Sequence, residues 1–120
     1  MWKFKQDNTL EYRKEESSKI MRYWPDKIPI ILEKHGISKL SEIPKAKFLC
    51  PRNYSFFQFN SCLRAKLKLE SNQAIYVFAN EKKLVTGDKS LLELYEESKD
   101  QDGFLYLMYC EHETLGCDYS

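Results

Sequence analysis

Two short apolar runs limit what this chain can fold into. One is KIPIILEK, residues 27–34, and the other is FLYLMY, residues 104–109. Both have strand length and are rich in β-branched or aromatic residues, so both read as strands, the first of them buried. Neither approaches the roughly 18 apolar residues that cross a bilayer. Pro29 lies inside the first run. A proline gives no N–H to a ladder, so it places this strand at an edge or marks a bulge.

The segments around these runs supply the other elements. Thr9 caps a helix that carries a thin apolar stripe at Leu10, Ser17, Ile20 and Met21 and ends before Pro25. A stripe this thin needs a surface to pack on. KFLCP, stopped by Pro51, is a short second strand. Ser55 caps a helix whose apolar positions Phe56, Phe59, Cys62, Leu63 and Leu67 recur at helical spacing. AIYVFA is a third strand and EKKLVTGD a turn or short hairpin. Asp88 or Ser90 opens a last helix through LLELYEES, and Asp102-Gly103 turns into the final strand. Helix, two strands, crossing helix, strand, short helix and closing strand is the order of the ubiquitin-like β-grasp, an α+β fold.

At 120 residues the chain has the length of one domain and can bury a core without metals or disulfides. Net charge is only +1, but it is unevenly spread. Lys39, Lys45, Lys47, Arg52, Arg64, Lys66 and Lys68 face a single acid, Glu42, within residues 39–68, while residues 88–113 are acid-rich. One region should attract acidic partners. Cys50, Cys62, Cys110 and Cys117 have no metal spacing and read as free thiols. The N-terminus has no apolar core of a signal peptide, so a cytosolic chain is expected.

Catalytic and metal chemistry find little support. DQDG at 100–103 lacks the acids a calcium loop needs, with Ser98 and Tyr109 where they belong. A cysteine nucleophile would need an oriented histidine, and neither His35 nor His112 comes with such a frame. We expect no enzyme activity and no cofactor. The aromatics interleaved with the basic stretch are better placed in a helix core than on nucleic acid. KFLCP is readable as an edge strand that accepts a partner strand by β-augmentation, with lysines favouring acidic flanks. It is equally readable as a charged edge that blocks aggregation.

Four stretches together carry a resemblance along nearly the whole chain: YWPDKIPIILEK, KAKFLCPRNYSFFQF running into LRAKLKL, DGFLYLMY, and a glycine soon after it. They resemble the autophagy ubiquitin-like modifiers, the family of microtubule-associated light chain 3 and the GABA-receptor-associated protein. The resemblance implies a four-stranded mixed sheet with a crossing helix, and two helices at the N-terminus. It implies an N-terminal extension over residues 1–25, a core over 26–110, a conjugation tail over 111–116 and a cleaved 117–120. A cysteine protease would cut after Gly116, with Leu115 as its recognition residue. Activating and conjugating enzymes would then pass Gly116 to phosphatidylethanolamine, moving a cytoplasmic monomer to autophagosome membranes.

The resemblance also implies a receptor site for W-x-x-L motifs. Its aromatic pocket would use Glu16, Ile20, Pro29, Ile31, Lys47, Leu49 and Phe104. Its aliphatic pocket would use Phe48, Cys50, Pro51, Tyr54, Phe59, Cys62 and Leu63, and Lys45, Lys47, Arg64 and Lys66 would meet the partner's acids. Cys50 and Cys62 stand where valine and leucine are usual in the family, so that pocket should be somewhat larger and less apolar, and Tyr54 in place of a leucine partly refills it. Trp24 replaces a tyrosine, and the loop EKKLVTG and the tail from Cys117 are atypical. A non-conjugated adaptor that keeps only the groove is the alternative. A weaker third is binding of tubulin or another acidic polymer.

Overall fold

The structure, a computed structural model, describes residues 2–112. In chain order the elements are α1 (Lys3–Asp7), α2 (Leu10–Tyr23), β1 (Lys27–Lys34), β2 (Lys47–Pro51), α3 (Phe56–Leu67), β3 (Tyr76–Ala79), β4 (Lys83–Leu84), α4 (Leu91–Ser98) and β5 (Leu105–Cys110). The sheet runs β2-β1-β5-β3-β4. β1 and β5 are parallel neighbours at its centre and the other pairs are antiparallel. This is the expected β-grasp with its crossing helix and two N-terminal helices. The fifth strand is the two-residue arm of the EKKLVTGD hairpin, laddered to Phe78 and Ala79.

Local chemistry sets most helix boundaries. Thr9 Oγ1 accepts the Tyr12 N–H at 3.1 Å. Ser55 and Gln58 form a reciprocal capping box on α3, and Ser90 and Glu93 form one on α4. Ser90 is thus the cap of α4. Asp88, the other candidate, instead accepts the N–H of Phe57 at 3.0 Å, in the first turn of α3. α3 ends on Lys68, whose φ of 56° is left-handed. A side chain there costs energy that glycine avoids. Lys68→Gly should therefore raise unfolding free energy by about 0.5–1 kcal/mol, net of glycine's greater chain entropy. Urea titration reads this directly, and an unchanged or lowered midpoint refutes it.

Pro29 corrects the expectation of an edge or a bulge. β1 is interior, with unbroken register against β2 from Lys27↔Pro51 to Ile31↔Lys47. The Leu32 N–H reaches Ala46 O at 2.8 Å. Antiparallel pairs alternate between bonded and non-bonded, so Ile30↔Phe48 and Ile28↔Cys50 are the bonded ones. Pro29↔Leu49 and Lys27↔Pro51 fall on non-bonded positions. On its other side Pro29 lies before the β5 ladder, which starts at Ile30↔Leu105. No ladder bond is lost, so an interior proline is tolerated.

Both faces of the central strands are covered, which is why β5 is apolar throughout. Leu105, Leu107 and Tyr109 join Ile28, Ile30 and Leu32 of β1 in the main core with Phe59 and Leu63 of α3 and Leu91 and Leu94 of α4. Phe104, Tyr106 and Met108 join Ile31, Ile20 and Trp2 on the opposite face, beneath α1 and α2. On that face the Asp102 carboxylate takes Arg13 Nη1 at 2.7 Å, Tyr106 OH at 2.5 Å and Phe104 N at 2.9 Å. Burial opposes the Arg13 charge, but its bonds to Asp102 and Tyr106 outweigh this and raise its pKa. Burial and the Asp102 carboxylate push the Tyr106 hydroxyl far up. It is therefore a permanent donor.

Where β5 ends, Glu111 accepts the Ser38 hydroxyl at 2.6 Å and the Lys39 N–H at 2.9 Å. Partial burial pushes its pKa up, but these donors prevail and hold it at about 2, below its ordinary 4.5. A depressed carboxylate stabilises the fold above about pH 4.5, and that contribution is lost as pH falls toward 2. Glu111→Gln should lower stability at pH 7 and flatten the dependence between pH 4.5 and 2. Parallel pH profiles for the two proteins would count against this.

Candidate peptide-binding groove

β2 is an edge strand, so one side of its backbone lacks a neighbour in the sheet. With Ala46, Phe48 and Cys50 turned toward β1, the main-chain N–H and C=O groups of Lys47 and Leu49 point outward. Those two residues could pair with an added strand. Side chains alternate across the same strand. Lys47 and Leu49 stand on the α2 face, and Phe48 and Cys50 pack on the α3 core. One short strand thereby borders two separate side-chain sites.

On the α2 face, Ile20, Ile31 and Phe104 meet in one cluster. Pro29 is buried on the same face, and Leu49 stays 39% exposed. Glu16 reaches across from α2, its Oε1 at 3.1 Å from Lys47 Nζ and its Oε2 at 3.7 Å from Lys19 Nζ. All seven residues expected at the aromatic pocket lie on this face or at its rim. Sequence reasoning did not assign Trp2 to it. Trp2 is buried in the same cluster, edge-on to Tyr106 with ring centroids 5.1 Å apart. MWKFKQDN carries no apolar periodicity that could have signalled this.

On the α3 face, Phe48, Cys50 and Tyr54 pack around buried Phe59 and Leu63, with Pro51 half-buried beside them. Cys62 is exposed on the same helix. Burial, and then the neighbouring Cys62, push the Cys50 thiol up to about 11. It stays protonated at neutral pH and serves as an apolar wall, not a nucleophile. A cavity of roughly 610 Å³ opens at the start of β2, lined among others by Ile43, Phe48, Lys45, Lys47 and Lys66. Lys66 Nζ stands 5.3 Å over the Phe48 ring. Three of the four cations expected to meet acids thus border one concavity. The fourth, Arg64, donates through Nη2 to Glu70 O at 2.6 Å and fastens the chain beyond α3.

Other features are less suited to a ligand. A larger cavity, about 870 Å³, lies between α1, the end of β1 and the loop after it. Two of its charged groups are already engaged: Glu33 accepts the N–H groups of Lys3 and Phe4, each at 2.9 Å, and Lys34 donates to Ser38 O at 2.8 Å. The donor atoms of Cys110, Glu111 and His112 lie within 4.8 Å of one another. There Cys110 is fully buried and Glu111 already holds Ser38 and Lys39. Gly116, Leu115 and residues 117–120 lie outside the described residues.

A β-grasp with two N-terminal helices and an open edge strand defines a ubiquitin-like protein with room for a strand-like ligand. Comparison with known proteins makes the class specific. The profile of the family described as "Autophagy protein Atg8 ubiquitin like" matches residues 12–116. Autophagy-related protein 8a of Arabidopsis thaliana is 42% identical over 114 residues, covering 94% of this chain and 92% of that protein. Human microtubule-associated protein 1 light chain 3 gamma is 37% identical over 115 residues, covering 95% of this chain and 78% of that protein. The crystal structure of Trypanosoma brucei ATG8 superposes with a TM-score of 0.86 at 34% identity, covering 92% of this chain and 94% of that one. The chain belongs to the Atg8 family of ubiquitin-like autophagy proteins.

Proposed function

We propose that this protein is a lipid-conjugated autophagy modifier that recruits receptors through W-x-x-L motifs. The observation that carries the receptor half is the outward-facing backbone of Lys47 and Leu49 between two side-chain sites. A peptide adding to β2 would set alternate side chains toward the α2 and α3 faces, while Lys45, Lys47 and Lys66 would meet acidic flanks. The conjugation half rests on family membership and on a match that runs to Gly116. On this reading a cysteine protease cuts after Gly116, removing 117–120. An activating and a conjugating enzyme then transfer Gly116 to phosphatidylethanolamine, which anchors the cytoplasmic monomer to autophagosome membranes.

A single short peptide must be ordered on binding, so the expected Kd is of order 1 μM. Clustering on a membrane would then add avidity. Leu49→Ala removes apolar surface and Lys47→Glu reverses a charge beside Glu16. Each should weaken a W-x-x-L peptide by about tenfold, corresponding to about 1.4 kcal/mol. Calorimetric titration checks this, and unchanged affinity in both variants refutes the groove. Intact mass after incubation with the cognate protease checks processing. The expected species ends at Gly116, and normal cleavage and lipidation of Gly116→Ala would overturn the conjugation reading.

A further inference from the structure

Arg52 belongs to the basic stretch but has no part in the groove. It is the first residue past β2, at the opposite end of that strand from Lys45 and Lys47. Its backbone is fixed on two sides. The Arg52 N–H donates to Asp26 O at 2.9 Å, and its C=O accepts the Leu92 N–H at 3.2 Å. Arg52 therefore sits where the start of β1 meets the start of α4. There it borders a cleft of about 270 Å³, together with Lys27 of β1 and Lys99, the residue that ends α4. Ile28, Leu92 and Tyr95 give the cleft an apolar wall, and Met21, 40% exposed, lies in its lining. Lys99 Nζ stands 5.4 Å over the Tyr95 ring.

Three cations from three parts of the chain thus converge on one small space. Glu96 is the one acid in the lining, so three positive charges stand against one negative, a net of +2. Among the described residues Lys27, Arg52 and Lys99 enter no ion pair. Those pairs go to Lys5, Arg13, Lys19, Lys47 and Lys89. Like charges gathered in this way repel one another, and a bound anion relieves the repulsion.

We propose that this cleft is a docking site, separate from the groove, for a phosphorylated serine or threonine of a partner protein with an apolar residue beside it. A phosphate monoester carries about −1.5 to −2 at neutral pH, which matches the cleft, whereas one carboxylate leaves it in excess. Clustered cations are a recurring way to hold such side chains. The volume lies below the roughly 300 Å³ at which small-molecule pockets begin, so it suits a side chain and not a whole nucleotide. Position disfavours a lipid headgroup. β5 runs parallel to β1 and leaves the sheet beside Lys34, seven strand steps or about 23 Å from Lys27. On the conjugation reading the tail holds that far end at the membrane, and the cleft faces the cytosol. Only this choice of occupant rests on that reading.

Two blocked peptides test the proposal, Ala-Ala-phosphoserine-Leu-Ala-Ala and its serine counterpart, titrated into the isotope-labelled full chain and followed by amide chemical shifts. The phosphopeptide should shift Lys27, Arg52, Leu92 and Lys99 with a Kd of order 100 μM, and the serine peptide should bind at least about tenfold more weakly. Arg52→Ala and Lys99→Ala should each weaken the phosphopeptide by about fivefold. Glu96→Gln removes the one opposing charge and should tighten it by about twofold, a gain that damage to the fold cannot produce. Equal binding of the two peptides overturns the proposal, as does a phosphopeptide affinity that none of the three variants moves. Inorganic phosphate binding as tightly as the phosphopeptide means an adventitious ion only, and overturns it too. Phosphatidylcholine vesicles carrying phosphatidic acid that shift these amides when the peptide does not would make the occupant a headgroup and overturn it. No shift with any probe also overturns it. Cleavage at Gly116 is read separately by mass, so each of these outcomes leaves the conjugation reading where it stands.

Discussion

Asp102→Ala should lower the unfolding free energy by about 3–5 kcal/mol, a large share of the roughly 5–15 kcal/mol available to a domain. The Asp102 side chain has no exposed surface and Arg13 only 12%. The substitution leaves a guanidinium without its counter-charge, and it leaves the Tyr106 hydroxyl and the Phe104 N–H without their acceptor. The cost of the stranded groups exceeds what the intact pair contributes. Melting temperature should fall by about 10 °C or more. Replacing both partners with apolar residues, Arg13→Met with Asp102→Leu, should recover the part of the loss that comes from the stranded guanidinium, while the Tyr106 hydroxyl and the Phe104 N–H stay without their acceptor. Differential scanning calorimetry of wild type, single and double variants closes the comparison. A single variant within 1 kcal/mol of wild type by that measurement would rule out a structural role for the pair.

Gly103→Ala is the second large effect, and it acts on the same junction. Gly103 has φ of 93°, where residues with a Cβ rarely go. An added Cβ would also overlap Ser17 Oγ, which is fixed by its bond to Asp102 O at 2.5 Å. Backbone strain of about 1–3 kcal/mol adds to the cost of displacing that hydroxyl. A total of about 3 kcal/mol or more is expected from denaturant unfolding. Ser17→Ala in the same chain removes the clash with the hydroxyl but neither the backbone strain nor the tight approach to Ser17 Cβ at 3.0 Å, so it should restore part of the loss. Gly36→Ala is the control, since nothing lies within 4 Å of its added Cβ and its φ is not left-handed. That change should be neutral or slightly stabilising. Equal losses at Gly36 and Gly103 would mean that the contact with Ser17 has no special weight.

How much of the molecule is legible in its sequence differs from element to element. Ser55 and Gln58 announce α3, since a capping box is local and needs nothing from elsewhere. KIPIILEK and FLYLMY announce strands because their residue types suit a pleated, buried surface. What lies opposite each strand is not local. Pro29 is a sound signal for an edge, yet it sits in an interior strand because register places it at a non-bonded pair and the β5 ladder starts one residue later. Arg64 looks like a free cation on a basic helix, but the chain's turn after Lys68 brings Glu70 O to it.

By itself the sequence determined the order of elements, their caps, the basic stretch around β2 and, through its motifs, the family. Each of these is a property of nearest neighbours along the chain, and composition and spacing suffice to express it. Only the tertiary structure decided that β2 is the edge, what holds α1 in place, and that Trp2 is buried with Ile20, Ile31 and Phe104. α1 has no apolar stripe of its own. It is shaped by a carboxylate from β1, 29 and 30 residues away, and by an aromatic anchor on β5. Contacts over that separation depend on the closed sheet, and no local pattern of residues can encode where they will fall.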